Sequence, residues 1–533
     1  MGTKLTAIAA ASAALAVSMP AEAGMMEFDN GWNIDYGLTT TYTLGMRVKS
    51  PDPVLAGPGN SGGNDGDASF KAGSLTADRL ALLLETKIHK DNYGFVVSAS
   101  TFYDTVYHTP NDNPGPVNFP GPVNHFNSST EYYHGGYSRL LDAYGYTTFD
   151  IGSARATVRL GQQVVSWGEA LFFPGISLAQ GPADGTLQGI PGTETKDILL
   201  PEPQLSTSID LSPRWSLLGQ LQFDWHPNIA PGVGSFLSTS DSVGPGATCL
   251  QPVIKGKCSF GARQADQVPD NFGQFGLGTR FRATDETELG LYYLYYKDRN
   301  PLPVINAFAP GGTYSLRYFD NINLIGATFS TMLGSKVTVA GEVSQKFGAP
   351  VLVNTVVNPR TGSTIPTPTR ANITQVNLNA FANLGRTFIA PQTVLIGEVS
   401  WVGISGVTAT RAAGVDALGP AAAYFPSSDK LSFTHTALAI SGTVSLTWPG
   451  IFTDWDLAVP ISYSQQIMGR TITGGVGGQG DKRYSISANF KFRSNFQIGL
   501  NYLGYLGSAN TTLADARLLT DRDQISLVMK YKF

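Results

Sequence analysis

The final residues of the chain, DQISLVMKYKF from Asp523 to Phe533, alternate strictly between two classes of side chain. From Ile525 onward every second residue is apolar, and the intervening residues are polar except for Val528. In an extended strand this period places the two classes on opposite faces. A terminal strand leaves an unpaired edge unless another strand closes onto it. The pattern therefore predicts a closed β-barrel, with apolar side chains toward lipid and polar side chains toward the lumen.

The same alternation recurs through the C-terminal half of the chain. Between Leu438 and Trp448 the larger apolar residues alternate with Ala, Ser and Thr, and between Tyr484 and Phe492 apolar residues alternate with Ser, Asn and Lys. A helix would distribute these side chains around its surface, so the period of two indicates strands.

Connections between the strands alternate in length, as in barrels whose short turns face the periplasm and whose long loops face outside. Nine long segments imply about 18 strands, and 14 or 16 strands are alternatives because boundaries read from sequence shift by several residues. We therefore predict an all-β fold, a transmembrane antiparallel β-barrel. The long segments fall near residues 49–75, 107–135, 166–201, 227–269, 299–314, 347–369, 403–428, 467–481 and 506–522.

Composition agrees with strands that face lipid. Charged residues make up 14% of the chain, whereas soluble domains average about 25%. The formal net charge is −4, and the chain has no long basic run. No nucleic-acid partner is expected from this charge distribution.

The N-terminus has the pattern of a secretory signal. Residues 5–17 form a short apolar run, and Ala21 and Ala23 provide the small residues of a cleavage site. A membrane anchor is the alternative, but a spanning helix needs about 20 apolar residues. We predict a signal peptide over residues 1–23 and a single barrel over residues 24–533, located in the bacterial outer membrane.

Two cysteines, Cys249 and Cys258, lie close together in a segment rich in Gly and Pro. In an exported protein such a pair is expected to form a disulfide that staples a loop. A metal site is the alternative, with His226 and Asp241 as the nearest further ligands, but their spacing is not that of a metal motif. We therefore expect a disulfide and no metal.

The segment from Ser166 to Pro203 differs from every predicted strand. Its many Gly and Pro residues interrupt any strand, and its apolar run LFFPGISLA is poorly suited to water. We predict that this segment folds inward and narrows the lumen, because a barrel of 16 to 18 strands otherwise encloses an aqueous channel. An ordinary extracellular loop is the alternative.

Residues in and near this segment are the predicted contacts for a permeating molecule, since charged groups and apolar narrowings set pore selectivity. Arg159 and Glu169 have a second interpretation, in which they pair with each other or with other lumen residues and hold the segment in place. Asp224 could likewise contact a permeating molecule or only hold the structure in place. Its neighbour Trp225 suits an interfacial aromatic girdle. The predicted lumen contacts are Arg159, Trp167, Glu169, Phe172, Phe173 and Asp224.

No pattern in the chain favours catalysis. No Ser lies at a strand position suited to pair with His435. The stretch from Asn64 to Asp67 is similar to a calcium loop but lacks the distal glutamate. We expect a solvated surface loop there, no cofactor and no enzymatic activity.

Several segments together resemble a known family. They include RLGQQVVSWGEALFFPG from Arg159 to Gly175, QFDWHP from Gln222 to Pro227, and the C-terminal DRDQISLVMKYKF. In this order they are similar to proteobacterial outer-membrane proteins of domain-of-unknown-function family 1302. The resemblance covers essentially the whole chain after residue 23. It implies an envelope β-barrel that accompanies an exported periplasmic or lipoprotein partner and an inner-membrane permease.

The function predicted from these features is a channel or transporter for a small hydrophobic or amphipathic molecule across the outer membrane. Two alternatives remain: a general diffusion porin, and a surface-binding or assembly protein for which the barrel is an anchor. Expected partners are outer-membrane lipid and the barrel assembly machinery. We expect that machinery to recognise a C-terminal signal containing Tyr531 and Phe533.

Overall fold

The structure is a computed structural model that describes residues 24–533, so the predicted signal peptide lies outside the described residues. Eighteen antiparallel strands form one closed sheet. Their bounds are β1 Asn33–Arg47, β2 Leu75–Lys90, β3 Tyr93–Asp104, β4 Ser138–Ile151, β5 Ala154–Gln163, β6 Glu202–Ser212, β7 Trp215–Gln222, β8 Phe275–Arg282, β9 Thr287–Tyr296, β10 Ile322–Leu333, β11 Val337–Asn358, β12 Ser363–Gly385, β13 Gln392–Ser405, β14 Thr436–Phe452, β15 Trp455–Met468, β16 Lys482–Phe492, β17 Phe496–Leu506 and β18 Gln524–Lys532.

Closure occurs between the first and last of these strands. β18 pairs antiparallel with β1 from Gln524, opposite Arg47, to Lys532, opposite Thr39. The remainder of that edge of β1 pairs with the short strand Gly24–Glu27. The predicted closed barrel and the favoured number of strands are therefore confirmed.

The remaining regular elements are short and lie in the connections. No helix between residues 24 and 533 is long and apolar enough to cross a membrane. The other strands are Val253–Ile254, Lys257–Cys258, Ala262–Arg263, Leu302–Asn306 and Thr313–Arg317. The helices and helical turns are Pro53–Ala56, Pro58–Asn60, Asp65–Ala68, Thr105–His108, Ser128–Thr130, Glu131–Gly135, Ser177–Ala179, Thr195–Ile198, Val415–Tyr424 and Leu513–Asp515.

The two faces of the barrel wall differ in exposure and chemistry. On β13, Leu395, Val399 and Trp401 are exposed on the outer face, whereas Glu398 and Ser400 are buried on the inner face. This alternation produces an apolar outer surface, as required of a barrel that contacts lipid. Barrels of this kind span the bacterial outer membrane, which is the location of this protein.

One predicted long loop is instead a β-hairpin. Residues 347–369 continue β11 and β12 and meet at a tight turn near Gly362. The Gly and Pro content suggested a loop, and that prediction is wrong because the segment also carries a β-branched run that favours a strand. Pro366 and Pro368 have the same parity in β12, so both can lie where an N–H would point away from β11.

Cys249 and Cys258 form the predicted disulfide, which is confirmed, with Cα atoms 5.4 Å apart. It lies in the long connection between β7 and β8, where it closes the small hairpin of Val253–Ile254 and Lys257–Cys258.

The loop after β1 is bound to the loop before β18 through a buried ion network. Asp67 lies 2.7 Å from Arg47 and 2.8 Å from Arg522, and Arg47 lies 3.0 Å from Asp521. Asp65 and Asp67 are 1% and 0% exposed. The expectation of a solvated loop at this position is wrong, because two arginines neutralise Asp67 and loops on the same side cover it.

Candidate functional site in the barrel interior

The segment between β5 and β6, residues 164–201, packs against the inner face of the barrel wall. We call it the insert. Its first part reaches β11, β12 and β13, and its later part reaches β1 and β18. The insert therefore contacts two separate regions of the wall.

Two carboxylates of the wall bind the first part of the insert. Glu342 of β11 accepts backbone N–H bonds from residues 169, 170, 175 and 176, at 2.9 to 3.2 Å. Glu398 of β13 accepts N–H bonds from residues 171 and 172, the first at 2.8 Å. We call this arrangement the carboxylate clamp. It fixes the path of the insert through the backbone.

Both clamp carboxylates are buried, with Glu342 4% exposed and Glu398 3% exposed. Burial of a carboxylate is costly unless the charge is compensated. Here converging N–H dipoles supply the compensation, as in the backbone nests that bind anions. Without the negative charges, the N–H groups of the insert would no longer be attracted to these two positions.

Glycine permits the close approach at the clamp. A Cβ atom at Gly168 would lie 2.5 Å from Glu342 Oε2, and one at Gly175 would lie 2.5 Å from Glu342 Oε1. Gly168 also has φ +102°, in a region that side-chain-bearing residues rarely adopt. Both glycines are therefore needed for the observed contact.

Amides of the wall bind the carbonyl groups of the same turn. Gln375 and Asn377 each donate to the carbonyl of Phe173, at 2.8 and 2.7 Å, and Asn379 donates to the carbonyl of Glu169 at 2.6 Å. The wall thus binds both N–H and C=O groups of the turn, as buried backbone requires.

The aromatic residues of the insert have different exposures. Trp167 is 6% exposed and stacks on Tyr292 of β9, with ring centroids 5.8 Å apart. Phe173 is also 6% exposed. Leu171 and Phe172, whose N–H groups bind Glu398, are 53% and 36% exposed. Leu171 and Phe172 are therefore the apolar side chains of the clamp that face open space inside the barrel.

A row of buried glutamines supports the insert from the side of β5, β6 and β7. Gln180 of the insert donates to Gln220 at 2.8 Å, and Gln220 donates to Gln204 at 2.8 Å. Gln204 in turn donates to the carbonyl of Gln163 at 2.6 Å. The row continues the hydrogen-bonded surface of the wall into the insert.

The later part of the insert contacts the closure strands of the barrel. Thr43 donates to the carbonyl of Pro191 at 3.0 Å, and Gln524 donates to the carbonyl of Gly189 at 3.2 Å. A Cβ atom at Gly192 would lie 2.7 Å from Val528 Cγ1. Val528, the one apolar residue on the polar face of β18, is therefore covered by the insert.

Ion pairs replace the clamp at this second region. Asp184, which is fully buried, accepts from Arg139 at 2.7 Å. Nearer the short turns, Glu194 pairs with Lys530 and Lys196 pairs with Glu85. The side chains of these last two pairs are 22% to 52% exposed.

A cavity of 330 Å³ lies beside these exposed ion pairs. It reaches Ser494 in the short turn between β16 and β17, so it opens toward the short-turn end of the barrel. A neighbouring cavity of 430 Å³ shares Glu85, Lys196 and Lys532 with it. The lumen between insert and wall is thus partly open at this end.

The structure does not place all the predicted lumen contacts together. Arg159 lies on β5 with its guanidinium 5.8 Å from the Tyr144 ring centroid, whereas Glu169 lies on the clamp turn near Arg280. Arg159 and Glu169 therefore do not pair with each other. Asp224 lies beyond the end of β7, where it accepts from the N–H of Trp225 at 2.8 Å.

Sequence reasoning did not identify the two clamp carboxylates, although a signal is present. Glu342 and Glu398 occur in the same tetrapeptide, GEVS, at residues 341–344 and 397–400. Each is the only acidic residue of its strand. A repeated single charge at equivalent strand positions could have indicated a shared partner inside the barrel.

Buried carboxylates also lie among the long loops. Asp241 Oδ2 accepts the N–H of Asp65 at 3.2 Å. Burial raises the pKa of Asp65 to about 6 and raises the pKa of Asp241 well above its usual value. Burial, with the nearby charge of Asp67, also raises the pKa of Asp521 to about 6. These groups favour the protonated state more than exposed carboxylates do.

A family model described as "Protein of unknown function (DUF1302)" matches residues 4–533. No curated protein sequence matches the chain. Among solved structures, Acinetobacter baumannii OccAB2 is 9% identical with a TM-score of 0.43, and the alignment covers 94% of this chain and 98% of that one. Pseudomonas aeruginosa OccK5 (OpdH) is 8% identical with a TM-score of 0.42 and the same coverages. Such low scores transfer neither a substrate nor a mechanism to this chain.

Proposed function

The chain belongs to the DUF1302 family, and from that premise and the geometry of the insert we propose that it is an outer-membrane channel or transporter for a small hydrophobic or amphipathic molecule. The observation that carries the proposal is the carboxylate clamp. It holds an insert inside an 18-stranded barrel, where an open aqueous channel would otherwise be expected.

The exposed apolar residues of the clamp support the class of molecule. Leu171 and Phe172 project from a turn whose backbone is held by Glu398. An apolar molecule that leaves water can contact such side chains without displacing hydrogen-bonded groups, because the backbone of the turn is already satisfied. Apolar narrowings of this kind select against hydrated ions.

Partners enter the proposal through the family resemblance alone. A molecule that reaches the short-turn end would pass to an exported partner. An inner-membrane permease would deliver the molecule to that partner or take it from that partner. Tyr531 and Phe533 remain the predicted assembly signal; their rings are 4.7 Å apart in the structure.

Single-channel conductance in a planar bilayer tests the proposal. We expect small or rare current steps from the intact protein, since the insert occupies the lumen. Removal of residues 170–174, the most apolar part of the clamp turn, should increase the conductance severalfold. Removal of residues 419–423, four of which are exposed, from the Val415–Tyr424 turn is the matched control and should leave the current unchanged.

Two outcomes would contradict the proposal. Large, steady steps from the intact protein would indicate a general diffusion porin. An unchanged current after removal of residues 170–174, from a protein that still shows heat-modifiable barrel migration, would show that the insert does not control permeation. A surface-binding role would then be favoured if exchange of the long loops abolished adhesion.

A further inference from the structure

Two cavities at the short-turn end are lined by more cationic than anionic side chains. The 330 Å³ cavity is lined by four lysines and two glutamates. The neighbouring 430 Å³ cavity adds a fifth lysine and Asp35. The five lysines are Lys87, Lys196, Lys491, Lys530 and Lys532.

The glutamates of the first cavity are already occupied. Glu194 pairs with Lys530, and Glu85 pairs with Lys196. Within residues 24–533, no carboxylate lies within ion-pair distance of Lys491 or Lys532. Two cationic side chains therefore border the cavity without an ion-pair partner of their own.

The remaining charged groups that line the two cavities do not reverse this excess. Asp35 lies 3.2 Å from His89, and its charge is directed to that ring. Lys87 lies 6.0 Å from the ring centroid of Tyr146. Arg159 lies over Tyr144 in the same way, so two further cations of the inner face contact aromatic rings rather than carboxylates.

The cavity also has an apolar part. Leu83, on the inner face of β2, lines it together with the aliphatic stems of the lysines. A concave site with a cationic rim and an apolar wall fits a molecule that has an anionic head group and a hydrocarbon portion. The low-dielectric walls of a barrel concentrate the field of the lysines into the lumen, which increases the local concentration of anions.

We propose that this cavity is a binding site for the anionic head group of an amphipathic molecule, with Lys491 and Lys532 as the groups that contact it. The inference rests on the proposed channel function and names the substrate class: an aliphatic carboxylate. The head group is held at the short-turn end, while the hydrocarbon portion lies against Leu83 and the aliphatic stems of the lysines.

Calorimetric titration of the full-length protein in lipid nanodiscs tests this assignment, with empty nanodiscs as the blank. The probes are octanoate, octanol and octyltrimethylammonium, which share a chain length and differ in charge. We expect octanoate to bind at least tenfold more tightly than either of the others. Its affinity should also fall as NaCl is raised, because the lysines are solvated and screened.

Substitutions of Lys491 and Lys532 test whether these two lysines form the site. Lys491→Gln with Lys532→Gln should weaken octanoate binding about tenfold, because both charges that attract the carboxylate are removed. Lys336→Gln, in the short turn between β10 and β11, is the control and should have no effect. Lys491→Glu with Lys532→Glu should reverse the preference and favour octyltrimethylammonium.

Equal binding of the anionic and cationic probes would overturn the inference, as would octanoate binding that is unchanged in the charge-reversed variant. Acetate provides a further arm: tight acetate binding would mean that the site takes small anions and does not require an apolar portion. Failure here is distinguishable from failure of the channel proposal, because conductance after removal of residues 170–174 reports on the insert and not on the lysines.

Discussion

The two ends of the insert are held to the barrel in opposite ways. At the clamp, two buried carboxylates are compensated by backbone N–H groups, and amides of the wall bind the carbonyls. At the short-turn end, half-exposed lysine and glutamate side chains form ion pairs beside a cavity. The first attachment is dry and depends on backbone geometry, whereas the second is wet and depends on flexible side chains.

This difference indicates how the insert can be fixed at one end and still let molecules enter at the other. Charge-assisted hydrogen bonds to a buried carboxylate are strong because few competing waters are present. Exposed ion pairs contribute little, since water and salt compete for both partners. We therefore expect the clamp to hold the constriction in place, and the short-turn end to admit molecules with little energetic cost.

The largest expected effect is loss of the clamp charge. Glu342→Gln with Glu398→Gln places amide N–H groups where N–H donors converge, and should lower the local stability of the insert by about 3 kcal/mol. Hydrogen exchange of residues 166–176 measures this as faster exchange. Glu288→Gln, on the inner face of β9 and 3.8 Å from Arg280, is the control. Unchanged hydrogen exchange in the double variant would mean that the clamp holds the insert no more strongly than the ion pairs at the other end do.

A smaller effect is expected from Gly168→Ala. The new Cβ would lie 2.5 Å from Glu342 Oε2, and the positive φ adds backbone strain of about 1 kcal/mol. Gly73→Ala is the matched control, because Gly73 has φ +85° and no atom within 4 Å of its built Cβ. Only Gly168→Ala should accelerate exchange of residues 166–176. Equal acceleration by both variants would indicate a general loss of stability and not an effect of the clamp contact.

Acidification extends the comparison to the long loops. The pKa of Asp521 is raised to about 6, so its folded environment favours the protonated form. The stability linked to this group is present at low pH and is lost as pH rises from about 4 through 6. After correction for intrinsic rates, exchange of residues 507–523 should be slower at pH 5 than at pH 7.5. Asp521→Asn should remove that dependence, and a dependence that persists in this variant would assign it to another group.

The smallest effect is expected at the short-turn end of the insert. A double-mutant cycle of Lys530→Gln and Glu194→Gln should give a coupling energy below about 1 kcal/mol, because both side chains are partly exposed. Hydrogen exchange of residues 189–197 provides the measurement. A coupling as large as the effect of losing the clamp charge would contradict the contrast between the two ends.

Much of the fold could be predicted from the sequence, because alternation is a local property of each strand. The strand number, the closure of β18 onto β1 and the Cys249–Cys258 disulfide all followed from patterns within short segments. The hairpin over residues 347–369 was predicted wrongly because Gly and Pro content was weighted above its β-branched run. The buried loop at Asp65 was missed because its burial depends on distant loops.

The candidate site was less predictable for the same physical reason. The sequence by itself determined which residues face the lumen, since a period of two assigns each side chain to one face. Only the tertiary structure decided which lumen residues meet the insert, because Glu169 and Glu342 are 173 residues apart along the chain. Their contact depends on closure of the barrel and on the path of the insert across it. No pattern within a single strand encodes that path.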